Sequence, residues 1–335
     1  MRDMIQTALD EMSAETDRRT SIMEVQVEKI EGDSVYLTGC VLEPAQIDWL
    51  RESLLQRFAG LEFVTESVRA LGGPGLPCVH VATNLTGLYE KPTFDVRLAS
   101  ELYYGTELDL LEERERWARV RQHDGYLGWA YRPFLEEGHA PQPTHLVMAA
   151  SVELWNQPGL HGTIMTRVVS GTGVTVERTG AGWALVSANK RGWMPAGLLR
   201  SVKDFPRTVE GRRRSMIRDA GEMIGTPYLW GGMSGNGIDC SGLAHLLHRW
   251  IGIHIPRDAD MQHAAARPVE APFQVGDLFF FGEVSASRNV THVGICMGDS
   301  MLIHSSRTRN GVYMDDLEKA DYLRNIYISA GSFLR

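Results

Sequence analysis

The stretch GTPYLWGGMSGNGIDCSGL, residues 225–243, constrains this chain more than any other. Six of its nineteen residues are glycine, so the backbone takes tight turns that bulkier residues resist. The pattern then changes abruptly. Leu243, Leu246, Leu247, Trp250 and Ile251 recur at i, i+3, i+4, i+7 and i+8, and Gly252 ends the run. That spacing predicts an amphipathic helix. Asp239 is a suitable N-cap. Cys240 then stands in the first turn, facing the free N–H groups of the helix start. The helix dipole favours a thiolate there, so the thiol pKa is expected to be lowered. The same amides can serve as donors to an oxyanion. Cys40, Cys78 and Cys296 have no such setting and read as small buried hydrophobes.

A nucleophilic thiol needs a base. The chain has eleven histidines. His245 and His248 follow Cys240 on the same helix and read as surface or partly buried residues rather than a metal pair. His292 and His304 differ. NVTHVGICMGDSMLIHSS (289–306) reads as a hairpin turning near Gly298 and Asp299. Val293, Ile295, Met297, Met301 and Ile303 share one face. The two histidines share the other, expected nearly opposite each other and about 5 Å apart at Cβ. Such a pair can be a base and its orienter: His292 takes the thiol proton, and His304 fixes the ring's tautomer and stabilises its charge. The plainer alternative is a packed structural pair.

The other residues suggest several smaller modules. At about 150 residues per domain, 335 residues imply two domains or more. Hydrophobic residues make up 43% and charged residues 23%, which supports packed cores. Residues 1–75 read as a polar helix, a strand pair turning at Glu31–Ser34, a helix opened by Pro44, and a third strand. GGPGLPC (72–78) reads as a linker. Two segments then resemble each other: 102–135 and 168–199. Each has short strands, a Trp (Trp117, Trp183) and a closing Gly-Trp pair, the pattern of a small β-barrel. The Trp residues are expected to fill the barrel cores. Thr208–Ile224 reads as a helix burying Met216, Ile217, Ala220, Met223 and Ile224.

The formal charge of −8 disfavours nucleic acid and anionic wall polymers as main partners. The apolar runs are too short for a membrane helix. The N-terminus lacks the pattern of a secretory signal. Four separated cysteines form no CxxC pair, so neither structural zinc nor a disulfide framework is expected. A cytoplasmic location is the expectation.

YLWGG, DCSGL and THVGI, with a further histidine twelve residues on and GDLFFF (276–281) before the histidine strand, resemble the NlpC/P60 family of cysteine peptidases. The repeated β segments resemble bacterial SH3 (SH3b) domains, and residues 1–75 resemble the small BON-type fold. The implied architecture is multidomain α+β: a small α+β module (1–75), two SH3-like β-barrels (76–140 and 141–203) and a papain-like NlpC/P60 domain (208–335). The resemblance implies Cys240 as nucleophile, His292 as base and His304 as third polar residue, with no cofactor and no metal.

The order SH3b, SH3b, NlpC/P60 resembles the γ-D-glutamyl-L-diamino acid endopeptidases of murein peptide recycling. That likeness implies a substrate such as L-Ala-γ-D-Glu-diamino acid, with a free N-terminal L-Ala. Asp258, in HIPRDAD, is similar to the family's amine-binding position. Tyr126 is similar to the SH3b residue that reaches over the amine. Glu90, in LYEKP, is a candidate second carboxylate or else a solvated loop charge. Asp239 and Ser241 would bind the D-Glu end. Tyr228 and Trp230 would line the cleft, with Tyr228 assisting the oxyanion. The alternatives are an exported hydrolase of wall stem peptides and a non-catalytic SH3b-based binding protein.

Overall fold

The structure is a computed structural model that describes residues 1–159, 161–283 and 289–334. The chain divides into two compact units. The first holds Met1–Val79, Glu107–Pro133 and Glu137–His139. The second holds His80–Thr106, Phe134–Glu136 and Ala140–Arg335.

The first unit begins with α1 (Arg2–Ala14), β1 (Met23–Glu31), β2 (Ser34–Val41), α2 (Ala45–Arg57) and β3 (Glu62–Ala70). Central β2 runs antiparallel to β1 and parallel to β3. Ile5, Leu9 and Met12 of α1, with Leu50 and Leu54 of α2, pack on Val27, Val35, Leu37, Phe63 and Val68 of the sheet. The chain continues through β4 (Cys78–Val81), β5 (Leu85–Tyr89) and β6 (Leu98–Tyr103). Then β7 (Glu107–Arg114), β8 (Trp117–Gln122) and β9 (Leu127–Tyr131) form an antiparallel meander.

Residues 1–79 are joined to this meander. Ile22, Cys40, Leu42 and Leu71 share a cluster with Leu111 and Leu127. Arg119 donates to Glu24 at 2.7 Å, and Arg121 to Glu43 at 2.8 Å. The two units therefore cut across 76–140: the meander goes with 1–79, whereas 80–106 goes with the second unit.

In the second unit, β5 and β6 pair antiparallel, and β10 (Leu135–Glu137) follows the meander in sequence. Next come β11 (His145–Val147), β12 (Ser151–Trp155), β13 (Ile164–Val169), β14 (Gly173–Gly180), β15 (Trp183–Ser187), β16 (Arg191–Pro195) and β17 (Leu199–Ser201). They form one seven-stranded sheet, ordered β13-β12-β16-β15-β14-β11-β17. Its core is aliphatic: Val147, Val152, Leu154, Val168, Val174, Ala184, Val186 and Met194. Trp183 and Trp193 lie at its margin, contrary to the expectation of Trp-filled barrels, and Arg178 stacks over Trp193 at 5.0 Å. Trp117 and Trp129, in the first unit, are buried.

The C-terminal part comprises α3 (Val209–Ala220), β18 (Met233–Ser234), β19 (Gly237–Ile238), α4 (Cys240–Arg249), α5 (Ala259–Ala265), β20 (Arg267–Val269), β21 (Leu278–Glu283), β22 (Asn289–Gly298), β23 (Met301–Ser306), β24 (Gly311–Asp316), α6 (Asp321–Arg324) and β25 (Tyr327–Ser332). Its six-stranded sheet is ordered β20-β25-β21-β22-β23-β24, and α4 and α5 both pack on β22. Thr208 caps α3 by accepting from Gly211 N–H at 3.1 Å. That helix ends at Ala220 and tightens into a 3₁₀ turn over Gly221–Met223, which turns Ile224 off the helical stripe. Met216, Ala220 and Met223 are buried, but Ile217 and Ile224 are exposed, unlike the sequence reading. No helix among the described residues is long and apolar enough to cross a membrane.

Helix α4 is enclosed more fully than an amphipathic surface helix. One side faces the sheet. On another, Trp250 Nε1 donates to the Val147 carbonyl at 3.2 Å, and Arg249 to that of Gly171 at 2.9 Å. His248 is fully buried, its ring edge-on to Phe333 at 5.8 Å and its Nδ1 donating to the Ala244 carbonyl at 2.8 Å. This corrects the surface or partly buried reading of that residue.

Candidate active site

Asp239 opens α4. Its Oδ1 accepts from Gly242 N–H at 2.7 Å and from the Ser241 hydroxyl at 3.1 Å, while Oδ2 accepts from Gly231 N–H at 2.8 Å. The carboxylate thus ties the helix start to the glycine-rich loop. Gly242 lets the two meet, because a Cβ there would lie 2.3 Å from the Gly232 carbonyl oxygen. Arg257, 2% exposed, grips Asp239 with a two-pronged fork at 3.1 and 2.8 Å. It also donates to Ser241 Oγ at 2.9 Å and to Ser100 Oγ at 3.0 Å.

Asp239 and Ser241 were expected to hold the D-Glu end of a substrate. The structure instead spends their side chains on this buried network, which fixes the position of Cys240. Arg257 is one residue that sequence reasoning missed. Its signal was a cation inside HIPRDAD, next to the Asp that had been singled out.

Cys240 is almost entirely buried, and its sulfur meets the backbone N–H groups of Val293 and Ser241. The Val293 amide belongs to the His292–Val293 peptide, so the sulfur rests against the backbone of the histidine strand. Burial, followed by the charge of Asp239, pushes the thiol up to about 12 despite the two amides. The expected lowering by the helix start is therefore reversed. Desolvation penalises the thiolate more than dipole and amides favour it.

The two histidines meet, though not in the expected register. β22 and β23 pair Ile295 with Ile303 and Cys296 with Leu302, and a bulge lies between Cys296 and Gly298. The bulge shifts the pairing, so His304 falls opposite Gly294 and reaches His292 diagonally. Gly294 leaves the space between them: a Cβ there would lie 3.5 Å from His304 Cβ and 2.5 Å from Leu302 Cδ1. His292 Nε2 stands 2.8 Å from His304 Nδ1, and His304 Nε2 stands 2.8 Å from Asp315 Oδ2.

Asp315 fixes the protons along this chain. Burial tends to raise its carboxyl, but hydrogen bonds from His304, Tyr322 and Arg309 outweigh that and hold it low. An ionised carboxylate only accepts. His304 therefore donates Nε2–H to Asp315 and presents a bare Nδ1. His292 in turn donates Nε2–H to that atom, which leaves its own Nδ1 as the free base. Burial, then the neighbouring His304, pushes His292 down to about 3, and burial also lowers His304. Both rings rest neutral. Asp315 lies on β24 and was not singled out from the sequence, because nothing local connects it to His304.

The remaining expected residues have the following settings. Tyr228 is half-buried, and its phenol is pushed up first by burial, then by Cys240 and Asp239, which places it near the thiol. Trp230 is 50% exposed, with Arg97 5.6 Å over its ring. Asp258 precedes α5, with Oδ1 3.8 Å from Arg257. Tyr126 is buried in the first unit, where its N–H donates to Asp124 at 3.0 Å.

Glu90 is exposed in the bend after β5, as its solvated reading implies. Glu101 on β6 is the carboxylate that meets the glycine-rich segment. It accepts from Met233 N–H at 2.7 Å and from the Ser234 hydroxyl at 3.0 Å. Burial raises its carboxyl, while these two donors and then Arg257 act against that.

A thiol at a helix start, against an antiparallel sheet bearing a histidine relay, defines a papain-like cysteine hydrolase. Residues 225–331 match the NlpC/P60 family, and residues 88–130 match the bacterial dipeptidyl-peptidase Sh3 domain. The C-terminal domain belongs to the NlpC/P60 cysteine peptidases. The chain is 27% identical over 256 residues to a gamma-D-glutamyl-L-lysine dipeptidyl-peptidase of Bacillus cereus, covering 71% of this chain and 76% of that one. It is also 27% identical over 260 residues to dipeptidyl-peptidase 6 of Lysinibacillus sphaericus, covering 71% and 91%. The crystal structure of an NlpC/P60 family protein from Bacillus cereus shares the fold, with a TM-score of 0.66 at 23% identity over 77% of this chain and 100% of that one.

Proposed function

We propose that this chain hydrolyses the γ-D-Glu–L-diamino acid bond of murein peptides with a free N-terminal L-Ala, in the cytoplasm, as a recycling endopeptidase. His292 Nδ1 takes the Cys240 proton as the sulfur attacks the γ-carbonyl carbon of D-Glu. Donors at the start of α4 and the Tyr228 hydroxyl hold the oxyanion. The imidazolium gives its proton to the leaving amine of the diamino acid. Water then cleaves the thioester, with His292 again acting as base.

The observation that carries the substrate reading is Glu101. It brings a half-buried carboxylate from β6 to Met233 and Ser234, beside the loop that precedes Cys240. A second carboxylate, Asp258, stands at the foot of α5 beside Arg257. Two partly desolvated acids suit a peptide ammonium, and the acylated form forfeits that charge attraction. The names of the relatives agree, since a dipeptidyl-peptidase by definition releases two residues from a free N-terminus.

The test is paired hydrolysis of L-Ala-γ-D-Glu-L-Lys and its N-acetyl form, repeated with meso-diaminopimelate in place of Lys. Loss of a partly desolvated charge attraction worth about 3 kcal/mol predicts a preference of roughly 100-fold for the free amine. Equal rates on both forms would overturn the amine reading. Efficient release of peptides from intact sacculi would favour the exported-hydrolase alternative.

A further inference from the structure

Cys78, Glu107 and His139 converge outside the peptidase site. Cys78 opens β4, Glu107 opens β7, and His139 follows β10; all three belong to the first compact unit. His139 Nδ1 lies 3.6 Å from Cys78 Sγ and 3.2 Å from Glu107 Oε2. The three donor atoms all fall within 4.8 Å of one another.

These spacings have a specific chemical meaning. Zinc bonds of about 2.3 Å to sulfur and about 2.0–2.1 Å to nitrogen and oxygen, at tetrahedral angles, set the ligand edges. The S···N edge comes to about 3.6 Å and the N···O edge to about 3.3 Å. The observed distances match both. Soft sulfur, imidazole nitrogen and one carboxylate oxygen also form a donor set that suits zinc. We propose that Cys78, Glu107 and His139 bind a thiophilic divalent cation, Zn²⁺ by geometry, with water in the fourth position.

Binding is balanced by loss of the thiol proton to solvent, so that sulfur joins the metal as thiolate. His139 supplies the Nδ1 lone pair and keeps its proton on Nε2. Burial first, and then the negative charge of Glu107, opposes the bare thiolate at Cys78, and a cation at the three donors offsets both. The metal would clasp the starts of two strands to the segment that ends the first SH3-like stretch. The sequence gives no sign of this site, because its ligands come from three separated segments and form no CxxC pair.

The test is Co²⁺ titration of the full-length Cys240→Ala chain, so that the peptidase thiol contributes nothing. One equivalent should produce a thiolate-to-cobalt charge-transfer band and the visible bands of four-coordinate cobalt, bleached by Zn²⁺. Cys78→Ser and His139→Ala should each abolish the charge-transfer band or its four-coordinate companion. The His139 side chain is 77% exposed, so its removal leaves the fold intact. Zn²⁺ should also raise the Tm of the unaltered chain and not that of His139→Ala. Absence of the bands, or full bands in either variant, would overturn the site.

Discussion

Replacing Asp315 with Asn tests the histidine relay. Asp315 Oδ1 accepts from Arg309 at 2.5 Å, while Oδ2 accepts from His304 at 2.8 Å and from Tyr322 at 2.7 Å. An Asn has one oxygen, and Arg309 can only donate. The amide therefore turns its oxygen to Arg309 and its NH₂ to His304. His304 must then accept at Nε2 and carry its proton on Nδ1. That reverses the hydrogen bond to His292, whose Nε2 becomes the acceptor and whose Nδ1 acquires the proton. The base can no longer take a proton from the thiol.

Restoring the working tautomer would break one hydrogen bond to a charged group, worth about 1.5–3 kcal/mol. At about 1.4 kcal/mol per decade this predicts a kcat loss of roughly 10- to 150-fold, with KM nearly unchanged. The partner arm is Arg309→Ala in the Asp315→Asn background. With the arginine gone the amide can flip, and kcat should recover several-fold, a coupling that a double-mutant cycle isolates. A kcat within twofold of the original in Asp315→Asn, or no recovery in the double variant, would refute the relay.

Three further outcomes follow from the same geometry. Arg257→Met strands the Asp239 carboxylate in a buried site and should destabilise the fold by about 3–5 kcal/mol, read as a lower urea midpoint; a change under 1 kcal/mol would show that the fork holds little. Stability should fall as pH drops below the unfolded histidine value of about 6.5. The folded values of His248, about 4, and His292, about 3, are depressed by burial, and those of His245 and His304 are lowered in the same direction. Their contribution is complete above pH 6.5 and is lost as pH falls through those folded values. Glu101, whose carboxyl burial raises, acts in the opposite sense, so a urea midpoint that does not fall between pH 7 and 4.5 would contradict the buried neutral rings. Finally, alkylation of Cys240 by iodoacetamide should be slow at pH 7 and rise steeply towards pH 9; fast alkylation already at pH 5 would show a resting thiolate.

The legible parts of the site are those set by local rules. The start of α4 could be read because capping and helical period involve neighbours in sequence, Asp239, Gly242 and the leucines beyond. The hairpin could be read for the same reason, but its register could not. The bulge between Cys296 and Gly298 moves His304 opposite Gly294, and no pattern of alternation announces one extra residue. Arg257, Glu101 and Asp315 were missed because each acts on a partner, 18, 132 and 11 residues away, that packing rather than local pattern selects. Burial of His248 was missed because its ring meets Phe333, far along the chain, a contact that helical period cannot announce.

The thiol shows most clearly how packing overrides a local rule. The helix start supplies a dipole and the Ser241 amide, the histidine strand supplies the Val293 amide, and by themselves these favour a thiolate. Enclosure by the sheet and the glycine-rich loop favours the neutral form, and the same enclosure holds His292 neutral. At about 4 Å and an effective dielectric of about 20, attraction within a thiolate–imidazolium pair amounts to about 4 kcal/mol, or about three pKa units. The thiol near 12 and the imidazole near 3 lie further apart than that. Both shifts point towards the neutral pair, the thiol upward and the imidazole downward, and a proton that moves as the sulfur bonds to carbon meets that preference. Charge appears on His292 at the moment the relay to Asp315 can stabilise it. A thiol held towards its neutral form at a helix start is the consequence of packing this cysteine against the histidine strand.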